Sequence, residues 1–157
     1  MDMNLEMKKI SLFIIIISLA SLIPVSYSQA MDSIKIIIKN SYIRETIPGT
    51  SISSAYMTIK NTGQQARKLI AITSDISPRI EMHQHLIRHD GMMKMRKINT
   101  IEIPAHQQTV LQPSGLHLML FDLKKPLISS QIVNMRLHFD NKSTMIVQVP
   151  VVSLKQQ

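Results

Sequence analysis

Two imidazoles and two thioethers stand in this chain in the order His83, eleven residues, Met95, twenty-one residues, His117, one residue, Met119. Their surroundings are rich in the same groups. All six histidines fall between positions 83 and 138, and residues 82–119 hold five of them together with five methionines. Histidine and methionine together suit Cu(I), whose polarisable d-shell favours thioether sulfur, whereas zinc sites rarely use methionine and calcium or magnesium want oxygen. The chain has no cysteine, so neither a thiolate metal site nor a disulfide framework is available. Thioethers need no deprotonation and do not oxidise into cross-links, so a site built on them does not depend on a reducing environment.

Two short stretches must position these donors. In 115–121 the residues Leu116, Leu118 and Leu120 alternate with His117, Met119 and Phe121, so a strand there turns His117 and Met119 to one face, about 6.5–7 Å apart at Cα. A histidine on such a strand, taken alone, is more often a structural residue than a ligand. The stretch 81–95 reads as two strands around an Asp90-Gly91 turn signal. A two-residue loop would pair Leu86 with Met95 and send Met95 to the face away from His83. A three- or five-residue loop, or a bulge, pairs Ile87 with Met93 and His85 with Met95, and His83 then lies diagonal to Met95 on one face. A shared ion therefore requires an odd-length connection. Met82, Met92 and Met93 read as core or groove fillers. His85 and His89 read as surface residues, and His106 and His138 lie outside the pattern.

The same punctuated β-branched runs continue along the chain, near 34–39, 52–60, 68–72, 80–87, 92–97, 100–103, 109–112, 116–123, 132–139 and 144–152. About ten short strands and few stretches of helical period predict an all-β Greek-key sandwich or barrel. Lys39, Lys60, Lys68, Pro104 and Pro150 suit exposed sheet edges. Strand order is not legible from the runs alone.

Residues 1–30 read differently. Lys8 and Lys9 precede an apolar run over 10–23, which ends at Pro24 and the small-residue site Ser28-Gln29-Ala30. That pattern is a signal peptide cleaved after Ala30, and the run is too short and too interrupted by serine for a membrane span. Residues 31–157 then form one domain. The formal charge of +8 is unaffected by cleavage, since Lys8 and Lys9 leave with Asp2 and Glu6. With three Phe, three Tyr and no Trp, stacking platforms for nucleic acid are few, so the charge fits a solvated surface, anionic lipid headgroups or an acidic partner. No G-x-S-x-G elbow and no nucleophile beside paired carboxylates is present, which argues against an enzyme.

The spacing of His83, Met95, His117 and Met119 resembles the metal motif of the periplasmic PCu(A)C copper chaperones. The flanking words agree: Ala55-Tyr56-Met57-Thr58-Ile59-Lys60-Asn61, Asp90-Gly91-Met92-Met93-Lys94-Met95-Arg96, and His117-Leu118-Met119-Leu120 followed by Leu123 and Pro126-Leu127. The resemblance spans residues 31–152. It implies a cupredoxin-like β-sandwich without the blue-copper cysteine, with Cu(I) held at its surface by His83, Met95, His117 and Met119. It also implies delivery to the CuA centre of cytochrome c oxidase, with the CuA-bearing subunit or a Sco-type assembly protein as partner. Gln84 stands where many members have methionine, and Tyr42 where the first strand usually has tryptophan. The sequence closes on Ser153-Leu154-Lys155-Gln156-Gln157 without the His/Met-rich tail of some members. Two rival readings use the same residues: a periplasmic storage or resistance protein with no delivery partner, and a structural β-sandwich in which the spacing is accidental.

Overall fold

The computed structural model describes residues 35–87 and 91–153. The predicted signal peptide at 1–30 and His89 lie outside the described residues. Every regular element among the described residues is a strand: β1 Ile36–Arg44, β2 Ser53–Asn61, β3 Arg67–Thr73, β4 Arg79–Ile87, β5 Met93–Ile98, β6 Ile101–Ile103, β7 Gln108–Leu111, β8 Leu116–Phe121, β9 Ile132–Phe139 and β10 Thr144–Val152. All ten expected runs form strands, most within two residues of the expected ends. β1 departs most, because it continues past Lys39 to Arg44. Asn40 takes a left-handed φ of 50° and the register with β2 shifts between Lys39 and Tyr42. Asparagine tolerates that conformation, so the polar break at Lys39-Asn40-Ser41 is a bulge within one strand and not its end.

The strands hydrogen-bond in the order β5-β4-β8-β7-β2-β1-β10-β9-β3-β6, with β2 also pairing β8. The sheet curls back on itself. Thr109 Oγ1 on β7 donates to Glu102 O on β6 at 2.7 Å, and Asn61 Nδ2 at the end of β2 donates to Ile103 O at 3.1 Å. β1 and β10 run parallel while most neighbours are antiparallel, and the result is the expected cupredoxin-like Greek-key sandwich, closing towards a barrel.

Period-two alternation fills the interior. On β9, Val133, Met135, Leu137 and Phe139 point in, and Asn134 and Arg136 point out. They meet Ile43, Ala55, Met57, Ile59, Leu69, Leu118, Leu120 and Val149 in one core. Leu118 and Leu120 are fully buried, each contributing about 1.5–3 kcal/mol by removal from water, which fixes the opposite face of β8 outward. Met82 also packs into this core, as expected.

The outermost strands are β5 and β6, which corrects the edge assignment. Lys39 and Lys60 lie on interior strands paired with Thr58 and Ile37, and Pro150 lies on β10 opposite Ile132. Lys68 is paired with Glu102. Of the five, Pro104 alone borders an outer strand, directly after β6. The edge is guarded instead by exposed Lys94, Arg96 and Lys97 on β5.

Candidate metal centre

Three neighbouring strands, β5, β4 and β8, carry the site on the face turned away from the core. The connection between β4 and β5 sets who can meet. Ile87 pairs with Met93 and His85 with Met95, so five residues separate the paired ends, the odd-length case. Gly91 sits in this connection with φ 77°, a left-handed conformation that costs glycine little. On the other side of β4, His83 pairs directly with His117, and Glu81 with Met119. His83, His117 and Met119 thus share a face with Met95, which lies one step diagonally from His83, within reach of a long side chain. All four candidate ligands fall on one patch of three adjacent strands.

Burial grades across the patch. His117 is 2% exposed although it lies on the outward face, while Met95 is 43% exposed on the edge strand. Neighbouring rings cover His117: His85 at 5.0 Å between centroids, His83 at 5.8 Å and Tyr56 at 6.4 Å. Tyr56 is backed by Tyr42 at 5.0 Å, the residue noted at the tryptophan position. Ser54 Oγ donates to Met119 Sδ at 3.3 Å. Met92 and Met93 are 59% and 57% exposed, so they do not fill core or groove, and Met93 shares the face of Met95 on β5. His106 and His138 bond to Gln64 and Thr73, away from this face.

The hydrogen bonds decide which nitrogens are available. His117 Nδ1 lies 3.0 Å from Gly115 O; a carbonyl only accepts, so Nδ1 carries the proton and Nε2 keeps the lone pair in the neutral ring. The same carbonyl accepts His85 N–H at 3.2 Å, tying β4 to the start of β8. His83 Nε2 lies 2.9 Å from Glu81 Oε2, which makes Nε2 the donor and leaves Nδ1 as the lone-pair nitrogen. His83 Nδ1 is buried without a protein partner, an arrangement that is costly unless something else fills the role. Burial, chiefly, holds the His117 pKa below its ordinary value, with His85 and His83 adding to the effect and the Gly115 carbonyl opposing it. Neutral imidazole is the metal-binding form.

Sequence reasoning overlooked Glu81. Its carboxylate binds His83, Lys97 Nζ at 2.9 Å and Arg79 at 3.3 Å, and these bonds, led by His83, pull its pKa from 4.5 to about 2. A carboxylate behind a ligating imidazole fixes the ring's tautomer and orientation. The signal was present in the sequence, since Glu81 lies two residues before His83 on the same strand face. Glu81→Gln is therefore expected to lower copper affinity by about 10–100-fold, the range for losing such a partner, measured by chelator competition. In the metal-free protein Glu81 contributes stability that is complete above pH 4.5 and lost as pH falls towards about 2. His117, neutral in the fold, removes stability from about pH 6.5 downward as the unfolded chain takes up its proton. Urea midpoints against pH should lose the lower limb, and keep the upper one, in Glu81→Gln.

Among the described residues no three His, Asp or Glu side chains are placed as a metal-ligand group by themselves. The family model described as "Putative lipoprotein LpqE-like" matches residues 36–151. This chain belongs to the LpqE-like family. Among family relatives, Lxx21020 of Leifsonia xyli subsp. xyli is 30% identical over 103 residues, 66% of this chain and 62% of that one. RP573 of Rickettsia prowazekii is 32% identical over 102 residues, 64% of this chain and 56% of that one. The match thus spans less than two thirds of either relative. The fold is that of the PCuAC domains, as the sequence resemblance implied. The Cu(I)-bound protein DR1885 of Deinococcus radiodurans superposes with a TM-score of 0.62 at 26% identity, covering 80% of this chain and 83% of that one. The copper-bound PCuAC domain of PmoF2 gives 0.65 at 20% identity, covering 76% and 93%.

Proposed function

We propose that this chain is an extracytoplasmic copper chaperone that holds one Cu(I) through His83, Met95, His117 and Met119 and passes it to an acceptor protein. The observation that carries this reading is the double register of β4: His83 opposite His117, and His85 opposite Met95. Supporting it is a donor set matched to a soft monovalent ion, with His83 Nδ1 buried and unpartnered and His117 kept neutral. The copper-bound state of the PCuAC domain of PmoF2 and the Cu(I) state of DR1885 support the same cargo. A leader of the kind read at 1–30 would export the chain, and the lipoprotein description of its family agrees with that location.

The graded exposure favours transfer over storage. Met95 lies on an outer strand beside exposed Met92 and Met93, so an incoming ligand can reach the ion before His117 lets go. The acceptor proposed is the CuA-bearing subunit of cytochrome c oxidase, directly or through a Sco-type protein. The test is anaerobic incubation of the Cu(I)-loaded protein with the soluble CuA domain, followed by separation and metal analysis. Copper should move to the acceptor; retention by this chain against a competent acceptor would leave a storage protein instead.

A further inference from the structure

We propose that the end of the sandwich formed by the connections at 45–52, 74–78 and 122–131 is a docking surface for a bilayer of anionic phospholipid. This goes beyond the copper reading and does not rest on it. Among the described residues the three most exposed isoleucines are Ile132 at 67%, Ile128 at 62% and Ile47 at 58%, and all three lie in or directly after these connections. Hydrogen bonds gather them. Thr46 N–H donates to Leu127 O at 3.1 Å and Leu127 N–H to Thr46 Oγ1 at 3.2 Å, which brings the backbone of Ile47 alongside that of Ile128. Gln131 N–H donates to Ile128 O at 3.2 Å, and Ile128 N–H to Gln131 Oε1 at 3.0 Å, a turn that returns the chain to Ile132 beside Ile128. The core beneath is already filled by Leu123 and Leu127, so the isoleucines stay in water. Apolar side chains left together on a surface mark a place of contact.

Charge and shape say what covers this end. Lys124 and Lys125 are exposed and line, with Pro126, Leu127, Ile132 and Asp75, a cleft of about 450 Å³ in which Asp75 is the one acid. Lys124 N–H donates to Ile76 O at 3.1 Å, which fixes the pair at the mouth of the cleft. Lysine beside exposed aliphatic side chains suits a lipid surface: the stems lie along apolar atoms, the ammonium groups reach anionic headgroups, and the isoleucines enter the acyl boundary. A second copy of this chain meeting the surface face to face would set the two lysine pairs against each other, in a protein of formal charge +8. β8 leads from the metal patch into this end. Met119 is five residues from Lys124, no more than about 18 Å of chain, so docking here keeps the proposed copper face close to the membrane.

The test uses the absence of cysteine, which makes Ile128→Cys, Ile132→Cys and, at the exposed Ile146 of β10, Ile146→Cys single sites for a nitroxide label. The full chain carrying each label is mixed with vesicles of phosphatidylglycerol or of phosphatidylcholine. Electron paramagnetic resonance then measures collisions with oxygen and with a water-soluble nickel complex. On phosphatidylglycerol the labels at 128 and 132 should gain oxygen collisions and lose nickel collisions, and the label at 146 should do neither. With Lys124→Gln and Lys125→Gln added, half-saturation of the signal at 128 should need about 30-fold more lipid, five- to sixfold for each lysine removed from an anionic surface. Labels at 128 and 132 that stay aqueous, equal immersion of 146, or a lipid demand unchanged by the lysine replacements would each overturn the proposal. A chain held to the vesicle by residues 1–30 alone gives aqueous labels at 128 and 132 and so counts against it. Shielding of 128 from both collision partners without lipid also overturns it, since a protein would then cover this end. No copper is added, so the outcome is independent of the metal site.

Discussion

Replacing Met95 and Met119 together by leucine is expected to lower Cu(I) affinity by more than about 100-fold, since loss of an outer partner alone costs 10–100-fold. The fold should survive. Met95 is 43% exposed and Met119 is half-buried with Ser54 Oγ donating to its sulfur, and leucine conserves volume at a cost usually below about 1.5 kcal/mol. The measurement is anaerobic competition with a Cu(I) chelator, with thermal melting as the control on folding. Because leucine keeps shape and removes only sulfur, a large loss isolates the thioether contribution. Unchanged copper retention would mean that the His/Met spacing is accidental and that the chain is a structural β-sandwich.

Leu118→Ala should destabilise the metal-free protein by about 2–5 kcal/mol, the range for truncating a buried leucine. Leu118 is fully buried between His117 and Met119, the two proposed ligands of β8, in register with Ala55 on β2 and Met82 on β4. Its burial is what turns His117 and Met119 outward, because neighbours on a strand point to opposite faces. Such a loss is a large share of a typical domain's 5–15 kcal/mol and should lower the melting temperature by many degrees. Copper should restore part of it, about 2.7 kcal/mol at a free concentration 100 times the dissociation constant. An unaltered melting temperature without metal would mean that β8 is not anchored through this residue.

Much of this site was legible because strand chemistry has a period of two. Alternation in 116–121 assigns the faces of β8 correctly, and an odd-length β4–β5 connection, the one observed, is what the sequence requires to bring His83 and Met95 onto one face. Strand order is a different matter, since it depends on contacts between segments far apart in sequence. Without the pairing of His83 with His117, nothing distinguished His85 from a solvent-facing histidine or revealed Glu81 as the anchor of His83. The same gap misplaced the sheet edges: lysine and proline mark places where pairing is restrained, and Lys60 does so inside the sheet, opposite Ile37 and Gln108. β1 was cut short because a single left-handed asparagine looks like a turn until its neighbours are seen to pair on both sides.

The most direct measurement is X-ray absorption on the protein loaded anaerobically with one equivalent of Cu(I). Ligation by His83, Met95, His117 and Met119 predicts sulfur and nitrogen neighbours together, two of each, around a single ion. A shell of nitrogen and oxygen alone, or copper spread over several weak sites, would contradict it.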